Sequence, residues 1–264
     1  MLWLNGGLVA AEAARIDPAD RGFTLGDGVF ETLLVRHGTP QQLDRHLARL
    51  ARGASILGLD LPYGPAAIAT AIDEVLAGVE TTQGDSVVRI TLTRGPAPRG
   101  LAPPGEATPT MMITAAALPP PAGPARAIIA RTTRRNDRSP ISAIKSLNYA
   151  DNIVARREAI AASADEAILL NTRERVACAT VANVFAVIDG VLVTPPVTAG
   201  ALPGVRRALL LEQGYAIERE ITEAELKRAG EIILTNSLGL RSVISLNGVP
   251  VGDGTPGKIY RDLP

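Results

Sequence analysis

The stretch SPISAIKSLNYADNIVARREA, residues 139–159, runs from a short apolar segment through Lys145 into a helical pattern. Lys145 is one of only three lysines, with Lys227 and Lys258, in a chain whose other basic side chains are 24 arginines. Arginine replaces lysine well as a surface charge, but its guanidinium does not shed a proton to act as an amine nucleophile. Lys227 lies in EAELKRAG, on what reads as a solvated helix face, and Lys258 lies in GTPGKIY near the end of the sequence. Lys145 stands where an extended run enters a helix, which is where α/β proteins place ligands and chemistry. Residue type alone leaves two readings open, a plain surface charge and a reactive amine.

Composition narrows the classes. A length of 264 residues allows two modest domains or one large one, and 46% hydrophobic residues suit a globular core. The 27 basic and 27 acidic residues balance, and the arginines are dispersed, so neither nucleic acid nor an anionic membrane is favoured as a partner. A single cysteine, Cys178, excludes an internal disulfide and any multi-cysteine metal site. His37 and His46 are the only histidines, which disfavours a histidine metal centre; a Ser-His-Asp or Cys-His relay would have to use one of them. No metal is expected. The opening MLWLNGGLVAAEAAR has no basic residue ahead of its apolar part, and NGG interrupts it, so it does not read as a secretory leader. Asn5-Gly6 predicts a hairpin turn instead. No apolar run approaches a membrane span, and the expectation is a cytoplasmic protein.

Strand-like and helix-like segments alternate along the chain. FETLLVRHGTPQQL predicts a strand, a turn and a short strand, and LDRHLARLARGASILGL predicts a helix with Leu43, Leu47, Leu50, Ala54 and Leu57 on one face. A second helix (GPAAIATAIDEVLAGV) and two strands (SVVRITLTRG, TPTMMITAAAL) follow. PPPAGPAR, residues 119–126, reads as a linker or exposed crossing. The expected division is therefore a small α/β domain over 1–118, a linker over 119–127 and a larger domain over 128–264. In the second half, EAILLN, RVACATVANVFAVI and VLVTPP read as a strand meander, LPGVRRALLLEQG and TEAELKRAG as helices, and EIILTNSLGLRSVISLNG as a strand with a polar interruption.

Three features join Lys145. Pro203-Gly204 precedes a helix whose first N–H groups would be unpaired, either an ordinary helix start or a place for a phosphate. Thr235, Asn236 and Ser237 follow the apolar EIIL, either as a plain loop or as a second set of donors. Arg49, off the apolar face of its helix, reads as solvated unless an anion lies near. A lysine amine with two phosphate-suited loops and an arginine points to a cofactor with both a phosphate and an aldehyde, pyridoxal phosphate.

The motifs DRGFTLGDGVFETLLV, HLARL, IKSLNY, DEAILLN, VANVFAV, TPPVTAGALPGVRRALL and EIILTNSLG, spread in order over nearly the whole chain, resemble the class IV (fold-type IV) pyridoxal phosphate enzymes. That family includes branched-chain aminotransferases, D-amino acid transaminases and 4-amino-4-deoxychorismate lyases. The resemblance implies an α+β, two-domain fold with a small α/β N-terminal domain and a larger C-terminal domain with a barrel-like β-sheet, assembled as a homodimer that acts on a small-molecule amino substrate. It also implies that Lys145 forms the Schiff base with pyridoxal 5′-phosphate. Arg49, Gly204, Val205, Asn236 and Ser237 would hold the phosphate, and Tyr149 would lie near the ring oxygen, one residue closer to the lysine than in branched-chain enzymes. Thr32 matches a threonine linked to proton transfer in the lyases. Phe30, Arg99 and Leu238 would face the substrate; Arg99 matches a carboxylate-trapping arginine, although that arginine's usual histidine partner falls at Leu101.

One departure bears on the reaction. The family usually places a glutamate at position 178, where it keeps the pyridine nitrogen protonated, and here Cys178 stands there. A neutral partner weakens the electron sink, which elimination needs less than transamination does. The expectation is therefore a lyase making 4-aminobenzoate and pyruvate from 4-amino-4-deoxychorismate for folate synthesis. The alternative is an aminotransferase for D-amino or branched-chain amino acids.

Overall fold

The computed structural model describes residues 1–78 and 85–264. They form two compact units, one of residues 1–119 with 144–148, the other of residues 120–143 with 149–264. The segment carrying Lys145 thus packs with the first unit, although its flanks lie in the second.

In the first unit, β1 (Leu2–Leu4) and β2 (Gly7–Val9) form the hairpin expected at Asn5-Gly6, both residues having positive φ. Next come α1 (Arg21–Leu25), β3 (Gly28–Arg36), β4 (Thr39–Pro40), α2 (Leu43–Leu57), α3 (Pro65–Leu76), β5 (Ser86–Thr93) and β6 (Thr110–Ala117). Among the described residues the strands make one antiparallel sheet in the order β2-β1-β6-β5-β3-β4. Side chains alternate between faces along a strand. Val29, Leu33, Val35, Val88, Ile90, Leu92 and Ile113 fill the face covered by α2 and α3, each at 1% exposure or less. The other face, with Phe30, Thr32, Arg89, Thr91, Met112 and Thr114, is only partly covered. α2 presents Leu47, Leu50 and Ala54 inward as its periodicity predicts.

The second unit contains β7 (Ala125–Ile129), α4 (Ala150–Ala161), β8 (Glu166–Leu170), β9 (Val176–Ala179), β10 (Asn183–Ile188), β11 (Val191–Thr194), α5 (Val205–Glu212), β12 (Ile217–Glu218), α6 (Glu223–Lys227), β13 (Glu231–Asn236), β14 (Gly239–Leu246), β15 (Val249–Pro250) and α7 (Lys258–Asp262). Its sheet runs β12-β11-β10-β13-β14-β7-β8-β9, with β15 on β14. β9, at one end, comes back close to β10, so the sheet curls into a half-barrel. β7 and β8 are parallel and α4 lies in the crossover between them, as parallel pairing requires. Ala155 and Ala159 of α4 pack on Ala167, Leu169 and Cys178; the small side chains let the helix approach the sheet closely.

The structure differs from expectation in three places. The span 119–127 includes the start of β7 at Ala125, because the strand residues there pair with β14 and β8 once the prolines end. RVACATVANVFAVI, read as one strand of the meander, is two strands: a turn at residues 179–182 ends β9 and sends β10 to pair with β11 and β13. The polar interruption in 231–246 is a two-residue hairpin turn, with Asn236 paired to Gly239. Among the described residues no helix is long and apolar enough to cross a membrane.

Gly28 opens β3 where a Cβ would lie 2.4 Å from the Leu92 carbonyl oxygen. Gly28→Ala is expected to lower stability by about 1–3 kcal/mol, read from the urea midpoint, since the obstructing atom is backbone and cannot rotate away.

Candidate active site

In the first unit the site is built on β3. Residues 145–147 lie along its edge as an added strand: the Phe30 N–H donates to the Lys145 carbonyl and the Leu147 N–H to the Gly28 carbonyl, both at 2.9 Å, around an antiparallel Val29–Ser146 bridge. Backbone pairing therefore fixes where Lys145 starts. Its Nζ stands 4.1 Å from the centroid of the Phe30 ring, and the Arg89 guanidinium carbon stands 3.8 Å from the same centroid. Arg89 Nε donates to Thr91 Oγ1 at 3.2 Å. Cross-strand register puts Thr32 opposite Arg89 and Phe30 opposite Thr91. The partly covered face thus brings together Lys145, Phe30 and Thr32, and adds Arg89. An aromatic face attracts cations, which gives the Lys145 amine and the Arg89 guanidinium a common platform.

Glu31 points to the opposite, packed face and is fully buried. Its Oε1 accepts from Arg49 Nε at 2.8 Å, and its Oε2 from Arg49 Nη2 and His46 Nδ1, each at 2.7 Å. His46 and Arg49, three residues apart on α2, share a helix face. Arg49 is therefore not a solvated arginine: its side chain is 9% exposed, and a carboxylate fixes the plane of its fork. Burial pushes the Glu31 carboxyl up, but the Arg49 and His46 hydrogen bonds and charges outweigh this and hold it below its ordinary value. Arg99 is exposed on the loop after β5, and Leu101 beside it is 83% exposed.

The second unit carries the anion-suited loops. Gly204 caps α5, and no side chain caps its first turn. A Cβ on Gly204 would lie 2.0 Å from Asn183 Oδ1, so the chain passes close to Asn183 only as glycine. Asn183 Nδ2 donates to the Leu202 carbonyl at 2.8 Å, and Asn183 is paired in register with Thr235. Thr235 Oγ1 is buried with no hydrogen-bond partner among the described residues. An uncapped helix start at Gly204 and Val205 and a buried orphan hydroxyl, both next to Asn183, fit a phosphate. Asn236 Oδ1 accepts from the Leu238 N–H at 2.9 Å, which shapes the turn holding Ser237 and Leu238. Tyr149 is half-buried at the start of α4.

Cys178 is buried on β9 opposite Leu169. Burial pushes its thiol up, and nearby Glu166 adds to this while Arg135 opposes it, so the thiol is neutral at pH 7. Glu166 is buried on β8; its Oε1 accepts from the Ala167 N–H at 2.8 Å and from the Thr180 hydroxyl, and its Oε2 pairs with Arg156 Nη1 at 3.0 Å. Asn152 Nδ2 donates to the Thr180 carbonyl at 2.6 Å, while Asn152 Oδ1 is buried without a partner among the described residues. Glu31, Arg89 and Glu166 were not singled out from the sequence. The available signal was a charged residue inside a strand of otherwise apolar or hydroxyl side chains.

The signature of the amino-transferase class IV family matches residues 28–246. A Methanocaldococcus jannaschii protein with a provisional branched-chain-amino-acid aminotransferase name is 32% identical, over 99% of this chain and 93% of its own. The D-alanine aminotransferase of Bacillus licheniformis is 30% identical, over 98% and 93%. The solved structure of 4-amino-4-deoxychorismate lyase from Pseudomonas aeruginosa superimposes with a TM-score of 0.81 at 35% identity, covering 100% of this chain and 96% of that one.

Glu31 stabilises the fold only while ionised. With its carboxyl held below the ordinary 4.5, that stabilisation is complete above this pH and is lost as pH falls through the depressed folded value. Glu31→Gln is expected to cost about 3–5 kcal/mol at pH 7, by leaving Arg49 buried without its counter-charge. Urea midpoints should also fall less steeply for the variant than for the parent between pH 5 and 3.

Proposed function

The chain belongs to the class IV aminotransferase family, whose members use pyridoxal phosphate, and from that membership we propose that it is an aminotransferase for D-amino or branched-chain amino acids. The observation that carries this reading is the buried Glu166 carboxylate near Cys178. Cys178, which matches the ring-nitrogen position, offers only a neutral thiol. Glu166, itself paired with Arg156, sets a buried carboxyl group close enough to act on that thiol. A carboxyl group in that neighbourhood weighs against the sequence argument for a weak electron sink and so supports the proton-shuttling chemistry of transamination.

Bound pyridoxal phosphate supplies an aldehyde that captures an amine and a ring that accepts the electrons left by a departing proton. Lys145 Nζ would hold the cofactor aldehyde and, once displaced by the substrate amine, would be the base that takes the proton from the substrate α-carbon and returns it. In the first unit Arg49, its Nε–Nη2 edge fixed by Glu31, would be the arginine that serves the phosphate. In the second unit Gly204, Val205, Asn236 and Ser237 would supply phosphate donors, Tyr149 would serve the ring oxygen and Leu238 the substrate. In the first unit Phe30 and Thr32 would serve the substrate, and Arg99 and Arg89 would take carboxylates. A homodimer would cover the exposed Phe23.

The second reading is the lyase that releases 4-aminobenzoate and pyruvate, with Thr32 assisting proton return. The neutral Cys178 thiol favours it. Purified holoenzyme given D-alanine, D-glutamate or L-leucine without a keto acid decides between the two. Conversion of the cofactor to its amine form, with release of the matching keto acid, supports the aminotransferase. Elimination from 4-amino-4-deoxychorismate without that conversion supports the lyase.

Two variants examine the roles. Lys145→Arg is expected to lower turnover at least about a thousandfold, because the proton carrier is gone. After borohydride reduction, the peptide spanning residue 145 should carry the cofactor mass in the parent and not in the variant. Arg89→Met should raise KM for an acidic substrate about tenfold or more, through loss of a charged hydrogen-bond donor, and should spare leucine.

A further inference from the structure

The loop after β5 presents Arg99 and Leu101 outward, while its backbone is gathered onto one buried side chain. Arg21, the first residue of α1, is 5% exposed. Its Nη1 donates to the carbonyls of Gly100 at 2.8 Å and Ala102 at 3.4 Å, and its Nη2 to that of Leu101 at 3.0 Å. Three consecutive carbonyls converge on one guanidinium only if the chain curls around it, and Gly100, at φ +135°, allows the curl. The Nε edge of Arg21 is fixed by Asp27 Oδ2 at 2.8 Å. Asp27 in turn is held by Arg94, whose Nη1 donates to the carbonyl of Gly58, the C-cap of α2, and whose Nη2 donates to that of Leu57, its last residue.

The root of the loop is tied to the same place. The Arg21 N–H donates to the Gly95 carbonyl at 2.9 Å, and the Ala97 N–H to the Ala19 carbonyl at 3.2 Å. The fully buried Asp20 carboxylate accepts from the hydroxyls of Thr93 at 2.9 Å and Thr110 at 2.7 Å, the two ends of the β5–β6 connection. A guanidinium anchored by a carboxylate is a rigid template, and a lysine ammonium cannot reach three carbonyls and Asp27 from a single nitrogen. Buried charge is thus committed to setting the backbone of residues whose own side chains lie outside.

We propose that Arg21 is a positioning residue for substrate: it fixes residues 99–102 so that Arg99 and Leu101 are presented to the incoming amino acid at one set place. This rests on Arg99 as a carboxylate contact. It assigns a role to the arginine of the DRG segment through its contacts within the chain.

The test uses holoenzyme carrying Arg21→Met, Arg21→Lys or Arg99→Ala. Amide hydrogen exchange over residues 98–103 is followed together with kcat and KM for the amino acid that converts the cofactor fastest. Asp27 keeps Arg94 in both Arg21 variants, so the fold is retained. Exchange in 98–103 is expected to quicken about tenfold or more in Arg21→Met. KM should rise about tenfold while kcat stays within about threefold, and Arg21→Lys should fall between. Unchanged exchange in both Arg21 variants overturns the proposal, as does faster exchange with an unchanged KM. If KM rises in the Arg21 variants but not in Arg99→Ala, the positioning role stands and the carboxylate reading of Arg99 fails.

Discussion

A carboxylate sealed from water governs the first unit. Glu31 has no solvent contact, and an ionised group in such a place costs several kcal/mol unless opposite charge and hydrogen bonds meet it. Arg49 and His46 meet it from α2, so that helix can dock on β3 only in the register that puts both side chains over the carboxylate. The same docking buries Leu47, Leu50 and Ala54. The apolar face supplies most of the association energy, and the charged triad selects one arrangement among several that an apolar stripe alone would accept.

From that strand the chemistry follows by alternation. Phe30 and Thr32 take the face opposite to Glu31, where the Lys145 segment is laid along the strand edge by two backbone hydrogen bonds. The amine is therefore positioned by main-chain pairing, and its reach is set by the Phe30 ring, which Arg89 also approaches. In the second unit a glycine closely approached by the Asn183 side chain, and a hydroxyl without a partner among the described residues, form a place suited to an anion.

The replacement of glutamate by Cys178 reads differently once its surroundings are known. Taken as one position in a motif, it removes a charge. In the folded chain the thiol lies near Glu166, a carboxylate twelve residues earlier that is carried on the neighbouring strand. The electrostatic environment of a position depends on what lies within a few ångströms, whichever residue supplies it.

The sequence by itself determined a good deal. The Asn5-Gly6 hairpin, the periodicity of α2 and α3, the alternation of the strands and the rarity of lysine are local or compositional, and they show without tertiary information. Motif order then pointed to the family and to Lys145. Only the tertiary structure decided that Arg49 is buried against Glu31, that Arg89 shares an aromatic platform with Lys145, and that Arg21 collects the carbonyls of a loop about 80 residues away. It also decided that the turn after β9 sends β10 to β13. The reason is common to all of these. A charged side chain carries the same letter whether it faces water or a buried partner, and its role is fixed by a counter-charge, a ring or a carbonyl brought to it from a distant part of the chain.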